Sequence, residues 1–197
     1  LKRGNMIRPS VRITFSFLLL VLWPVMPAGS ASTGILIDFE DLDRVLSNDA
    51  SLFEGYAGFY WTNFNSVVAP PMASGIPESG YAAGLVSGIF IAYNEDGGPA
   101  EFWADTPFTF ASVYLTAAWL EDLQILVEGF LGPDRLYSSM VAVSPTEPTQ
   151  FEFNFRGVDR VRFTPFGSKP YFADGYGTHF VMDDLRFGDA EVTGIDA

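Results

Sequence analysis

Beyond residue 33, apolar side chains recur mostly at every second position, and that spacing points away from a helical fold. Phe151, Phe153 and Phe155 share one side of a run whose other side is Glu152 and Asn154. Ile35, Ile37 and Phe39 alternate with Leu36, Asp38 and Glu40, and residues 160–163 repeat the pattern. Side chains two apart lie on one face only when the chain is extended. Further strand-like runs cover 56–68, 89–93, 101–104, 108–119, 123–131, 136–143 and 180–187, separated by Gly, Pro, Asn and Asp turns. Residues 69–88 and 164–179 read as long surface loops, and 41–53 as one or two short helical turns. Nine or ten short antiparallel strands at this spacing predict an all-β sandwich.

The first 31 residues belong to a different kind of segment. Lys2, Arg3, Arg8 and Arg12 precede an uncharged apolar run from Ile13 to Trp23, then Pro24, Pro27 and the small residues 28–32. A basic start, a short apolar run and small residues at a cleavage point make a secretory signal. The run is eleven residues long, short of the roughly 20 a membrane-spanning helix needs. Cleavage after Ala31 is expected, with Met6 as the start and residues 1–5 as upstream sequence read through. Residues 32–190 then form one domain and 191–197 a loose tail. The product is expected to be secreted or periplasmic, with no membrane insertion after cleavage.

Removing the signal leaves seven basic residues against 24 acidic ones. That charge disfavours nucleic acid and anionic lipid as partners. There is no cysteine, so an exported chain like this has neither disulfide staples nor thiol chemistry. Four Trp, eight Tyr and nineteen Phe supply the core instead.

Five segments carry a family resemblance: 37–42 (Ile-Asp-Phe-Glu-Asp-Leu), 58–64 (Gly-Phe-Tyr-Trp-Thr-Asn-Phe), 113–119, 157–161 and 180–187 (Phe-Val-Met-Asp-Asp-Leu-Arg-Phe). The series resembles secreted bacterial β-sandwich proteins of the PEP-CTERM-associated type. Those are jelly rolls similar to galactose-binding and carbohydrate-binding modules, and the resemblance spans nearly all of residues 35–188. It implies a jelly-roll-like sandwich and a binding role. The chain departs from the family at 193–197 (Thr-Gly-Ile-Asp-Ala), where a sorting segment is usual, so a freely secreted or periplasmic form is expected.

Catalytic motifs are sparse. His179 is the only histidine, and no Gly-x-Ser-x-Gly elbow accompanies it. A glycoside hydrolase built on two carboxylates stays a minor alternative. The loop 169–179 gathers Tyr171, Phe172, Tyr176 and His179 among Gly and Asp. Aromatic faces pack on the C–H face of a sugar while polar neighbours bond its hydroxyls. Tyr171, Tyr176, Asp174 and His179 are therefore the expected ligand-binding residues, for a polysaccharide or cell-surface glycan, and Trp61 and Trp119 are expected in the core. A second reading is a structural subunit of an extracellular assembly, pairing through exposed strand edges. A monomer is expected, since only three residues, 32–34, precede the first strand.

Glu40, Asp41, Asp183 and Asp184 are candidate ligands of a structural calcium ion joining the first and last strands. Strict alternation would put Asp183 on the face of Val181, Leu185 and Phe187, where an ionised carboxylate needs a partner. Jelly-roll sugar-binding domains resembling this one often hold such an ion. The alternatives are backbone N–H groups or an arginine such as Arg160.

Overall fold

Hydrophobic alternation drives ten strands into one continuous antiparallel ladder, which the computed structural model shows wrapped into a jelly-roll-like β-sandwich. The structure describes residues 34–42, 50–51, 55–69, 79–172 and 175–188. The expected export signal, the tail 191–197 and the loop residue Asp174 lie outside the described residues.

The strands are β1 (Ile35–Ile37), β2 (Ala50–Ser51), β3 (Tyr60–Thr62), β4 (Phe64–Val68), β5 (Phe90–Asn94), β6 (Ala100–Ala117), β7 (Gln124–Leu131), β8 (Asp134–Ala142), β9 (Thr149–Phe166) and β10 (Phe180–Phe187). One short helix, α1 (Gly80–Ala83), lies within the loop read from 69–88. Among the described residues no helix is long and apolar enough to cross a membrane. Of the helical turns expected over 41–53, Asp41 lies in a turn and Ala50–Ser51 is strand, paired with Ser66 and Asn65 on β4; residues 43–49 and 52–54 lie outside the described residues.

Two long strands serve both layers. The second half of β6 pairs with the first half of β9 and with β10, beside which β5, β4, β2 and β1 complete one layer. The first half of β6 pairs with β3 and with the second half of β9, which continues to β7 and β8 in the other. The crossing is a corner. Register breaks in β6 between Trp103 and Phe108, where Pro107 has no N–H to give a ladder. The facing β9 turns at Gly157, with φ 68°, a conformation glycine enters without strain.

Between the layers, phenylalanines interlock. Phe163 of β9 packs against Phe64 of β4 at 6.1 Å and Phe180 of β10 at 5.7 Å, and Phe102 packs against Phe187 at 5.6 Å. Phe39, Phe64, Phe90, Phe102, Phe110, Phe163 and Phe180 are fully buried. Each contributes about 2–3 kcal/mol of hydrophobic stabilisation, so a core without disulfides is physically reasonable. A smaller cluster of Ala69, Ile91 and Val181, with Tyr81, Leu85 and Tyr93, holds α1 and its loop on the outer face of the first layer.

Candidate functional site

The four acidic candidates bond to main chain and hydroxyl groups. Glu40 Oε1 accepts the Ile89 and Phe90 N–H groups, both at 2.7 Å. Asp183 Oδ2 accepts from Val86 N–H at 2.8 Å and Ser87 N–H at 3.0 Å, while its Oδ1 accepts from Asp184 N–H at 2.7 Å. Asp184 Oδ1 accepts from the Ser87 hydroxyl at 2.7 Å. Glu40, Asp183 and Asp184 thus meet on one segment, 86–90, and clamp it to the first and last strands. Asp41 points elsewhere and accepts the Tyr56 hydroxyl at 2.6 Å; burial, then that bond, raise the Tyr56 pKa. Among the described residues no three His, Asp or Glu side chains gather as a cation site. Of the alternatives for Asp183, backbone capping is the one observed.

The face assigned to Asp183 needs correcting. Met182, Leu185 and Phe187 belong to the main core, whereas Val181 belongs to the outer cluster. Alternation breaks at Asp184, whose φ is 48°, and the pairing of β10 with β6 shifts register there. This bulge flips the remainder of the strand, so Asp183 shares a face with Val181 and not with Leu185 and Phe187. Asp183 is fully buried. Burial pushes its pKa up to about 6, and its three N–H bonds oppose the rise.

Of the expected ligand residues, Tyr171, Tyr176 and His179 are described. Tyr171 is 51% exposed, with Phe172 packed edge-on at 4.8 Å, and Tyr176 is 81% exposed. His179 is half-buried; burial lowers its pKa, against the main chain of Tyr176 and the charge of Asp96. Trp61 is buried as expected, but Trp119 is only partly so. It sits at the strand end under Tyr81 and Phe172, with ring centroids 5.3 and 6.4 Å away. A Cβ on Gly175 would come within 2.6 Å of its ring. The loop residues therefore surround a covering tryptophan, and their polar neighbours are engaged: Asp122 accepts from the Ser168 and Lys169 N–H groups, and Glu121 pairs with Lys169.

A second arrangement, absent from the sequence expectations, lies at the strand corner. An open groove of about 340 Å³ is lined by Glu101, Trp103, Ala104, Asp105, Gly132, Asp159 and Arg160, a volume in the range of small-ligand sites. Tyr60 and Trp103 are direct cross-strand partners, and their rings stack at 4.0 Å and 17°. The Tyr60 hydroxyl reaches toward Asp105 Oδ2 at 3.5 Å. Asp159 Oδ2 accepts the Gly132 N–H at 2.7 Å, fixing the β7–β8 turn beside the groove. Arg160 lies 4.6 Å over the Phe130 ring and donates from Nη2 to the Gly132 carbonyl at 3.4 Å. Its buried Nε finds no hydrogen-bond acceptor among the described residues. The corner explains this geometry: where β6 leaves the ladder at 104–107, Asp105 and Asp159 are freed to border a depression.

The signal for this groove was in the alternation. Phe102 and Trp61 point into the core, so their neighbours Trp103 and Tyr60 point out, on adjacent strands. What hid it was the pairing of β3 with β6, which the sequence does not spell out.

The sequence matches no protein-family model and no curated protein. Among solved structures, the chain is similar to TmCBM61, a structure determined in complex with β-1,4-galactotriose. The TM-score is 0.38 and the identity 9%, covering 69% of this chain and 94% of that one.

Proposed function

We propose that the chain is a secreted, non-catalytic carbohydrate-binding module whose ligand lies in the corner groove. The observation that carries this reading is the outward Tyr60–Trp103 stack, bordered by Asp105, Asp159 and Arg160. A sugar ring has an apolar C–H face for the indole and hydroxyls for the carboxylates and the guanidinium. Locking Tyr60 against Trp103 before binding lowers the ordering cost of forming such a platform. Secretion is supported by the signal-like start. The non-catalytic reading is supported by the groove carboxylates. Asp159 Oδ2 takes the Gly132 N–H, leaving Oδ1 to accept from a ligand, and Glu101 lies 3.8 Å from Arg162, an arrangement that suits hydroxyl binding more than the paired carboxyls of glycoside hydrolysis.

The test is affinity electrophoresis of residues 32–197 through gels containing soluble polysaccharides. Retardation by at least one polymer is expected, and Trp103→Ala should weaken it about ten-fold or more while the protein stays folded. Equal retardation of Trp103→Ala and wild type would place the ligand elsewhere.

The assembly reading has one observation of its own. Strand β8 ends the sheet order and exposes Leu136 and Met140. Concentration-dependent polymers on gel filtration, lost in Met140→Lys, would favour it.

A further inference from the structure

We infer that the corner groove selects uncharged glycans and rejects those bearing carboxylate or sulfate groups; this rests on the carbohydrate-binding reading above. Its lining holds Glu101, Asp105 and Asp159 against Arg160 alone. The whole chain carries a net charge of −13, so the long-range field has the same sign as the local one. An anionic sugar placed on Trp103 would face Asp105 and Asp159, with Glu101 beside its partner Arg162, across a depression of about 340 Å³.

Arg160 is the one cation in the lining, and its side-on edge is closed to a carboxylate. A guanidinium grips a carboxylate through two parallel N–H bonds. Here Nη2 already donates to the Gly132 carbonyl, and the guanidinium stacks on Phe130. Nε is buried without an acceptor among the described residues, so the side-on fork of Nε and Nη2 is closed to a ligand carboxylate. The Nη1 hydrogens and the second Nη2 hydrogen remain, and they can bond hydroxyls or ring oxygens. The carboxylates supply the complementary half, since Asp105 and Asp159 accept from sugar hydroxyls and have nothing to donate. The groove therefore offers the N–H donors of one guanidinium, several carboxylate acceptors and one apolar face, which suits a neutral polyhydroxylated ring.

The test uses neutral β-glucan, β-galactan and β-mannan, each beside its own form oxidised at C6 to the uronate. Binding is measured by titration calorimetry at 50 mM and 1 M salt. At least one neutral polymer should bind with an affinity that salt barely changes. Its oxidised form should bind about ten-fold more weakly at low salt, and the gap should close at high salt, where the Debye length falls to about 3 Å. Asp105→Asn should narrow the low-salt ratio between the neutral and oxidised forms of the same polymer, whatever it does to the neutral affinity itself. An oxidised polymer that binds as well as its neutral parent at 50 mM salt, through Trp103, overturns the selectivity and leaves the carbohydrate-binding reading standing. Binding of no polymer, or binding indifferent to Trp103→Ala, overturns both.

Discussion

The Glu40 carboxylate fills the place where a side chain at Gly88 would begin: a Cβ there would lie 1.9 Å from Glu40 Cδ. Gly88 also has φ +57°, so the position excludes other residues by backbone conformation as well as by space. Gly88→Ala should therefore cost about 2–4 kcal/mol in urea denaturation. Part of that cost is the displacement of Glu40 from the Ile89 and Phe90 N–H groups. The double variant Gly88→Ala/Glu40→Ala should then be more stable than the sum of the single losses. Strict additivity would mean that the two residues do not share the site.

Asp183 gives the clamp a pH dependence of defined sign. Its folded-state pKa is raised to about 6 by burial, above the ordinary value near 3.9. The folded state therefore holds the proton more tightly than the unfolded chain. The group's contribution to stability is full below about pH 4 and is lost as pH rises through about 6. Replacing it by Asn removes this dependence and turns an NH2 group toward backbone donors that Asp183 now accepts. The wild type should exceed Asp183→Asn in stability by about 1–3 kcal/mol at pH 7, and the difference should widen between pH 6 and pH 4. A difference that shrinks on acidification would show that the N–H bonds outweigh burial and that the pKa is depressed.

How far the sequence could be read depends on what each strand does at its bends. Residues 180–187 and 124–131 were legible because their runs end at glycines or polar turns. The breaks near Asp105–Pro107 and Gly157 looked like strand ends, and 100–117 and 149–166 each read as two strands. In the structure the chain turns a corner at those residues without leaving the sheet. The same kind of local rule hid the face of Asp183, because a bulge at Asp184 reverses alternation and nothing in Asp-Asp announces a positive φ. The corner groove suffered twice over. It needs the corner, and it needs the pairing of Tyr60 with Trp103, which are separated by β4, a loop with a helix, and β5. The acidic clamp was half legible: Glu40, Asp183 and Asp184 reach one backbone segment from the middle of the chain, while Asp41 turns to Tyr56.

The loop tyrosines separate the two ends of the molecule experimentally. Tyr171 and Tyr176 are 51% and 81% exposed, so Tyr171→Ala/Tyr176→Ala should change the melting temperature by no more than about 2–4 °C. Affinity for the polysaccharide retained through Trp103 should be unchanged. A double variant that melts normally yet fails in affinity electrophoresis would move the ligand to the loop end, as the sequence alone had suggested.

Asn94 ties three segments together at that end, and its chemistry permits a sharper test than truncation. The side chain is fully buried. Its Nδ2 donates to the Gly98 carbonyl at 2.8 Å and the Thr178 carbonyl at 3.3 Å, while Oδ1 accepts the Phe180 N–H at 2.6 Å. It thereby sets the point at which β10 begins and joins the turn after β5 to the loop before β10. Asn94→Ala leaves one buried N–H and at least one carbonyl without partners, a loss of about 2–3 kcal/mol. Asn94→Asp keeps the shape and the bond to Phe180 but aims a carboxylate oxygen at two carbonyls. At pH 7 it should be the worse of the two, because a buried charge facing like dipoles is costlier than a small void. The introduced carboxyl should titrate above its ordinary pKa. Its stability should therefore recover as pH falls toward 4, where the proton can bond a carbonyl, while Asn94→Ala should show no such recovery. Urea titrations of both variants at pH 7 and pH 4.5 read this directly. If Asn94→Asp matches wild type at pH 7, the side-chain amide does not donate to those carbonyls, and the loop before β10 is held by other contacts.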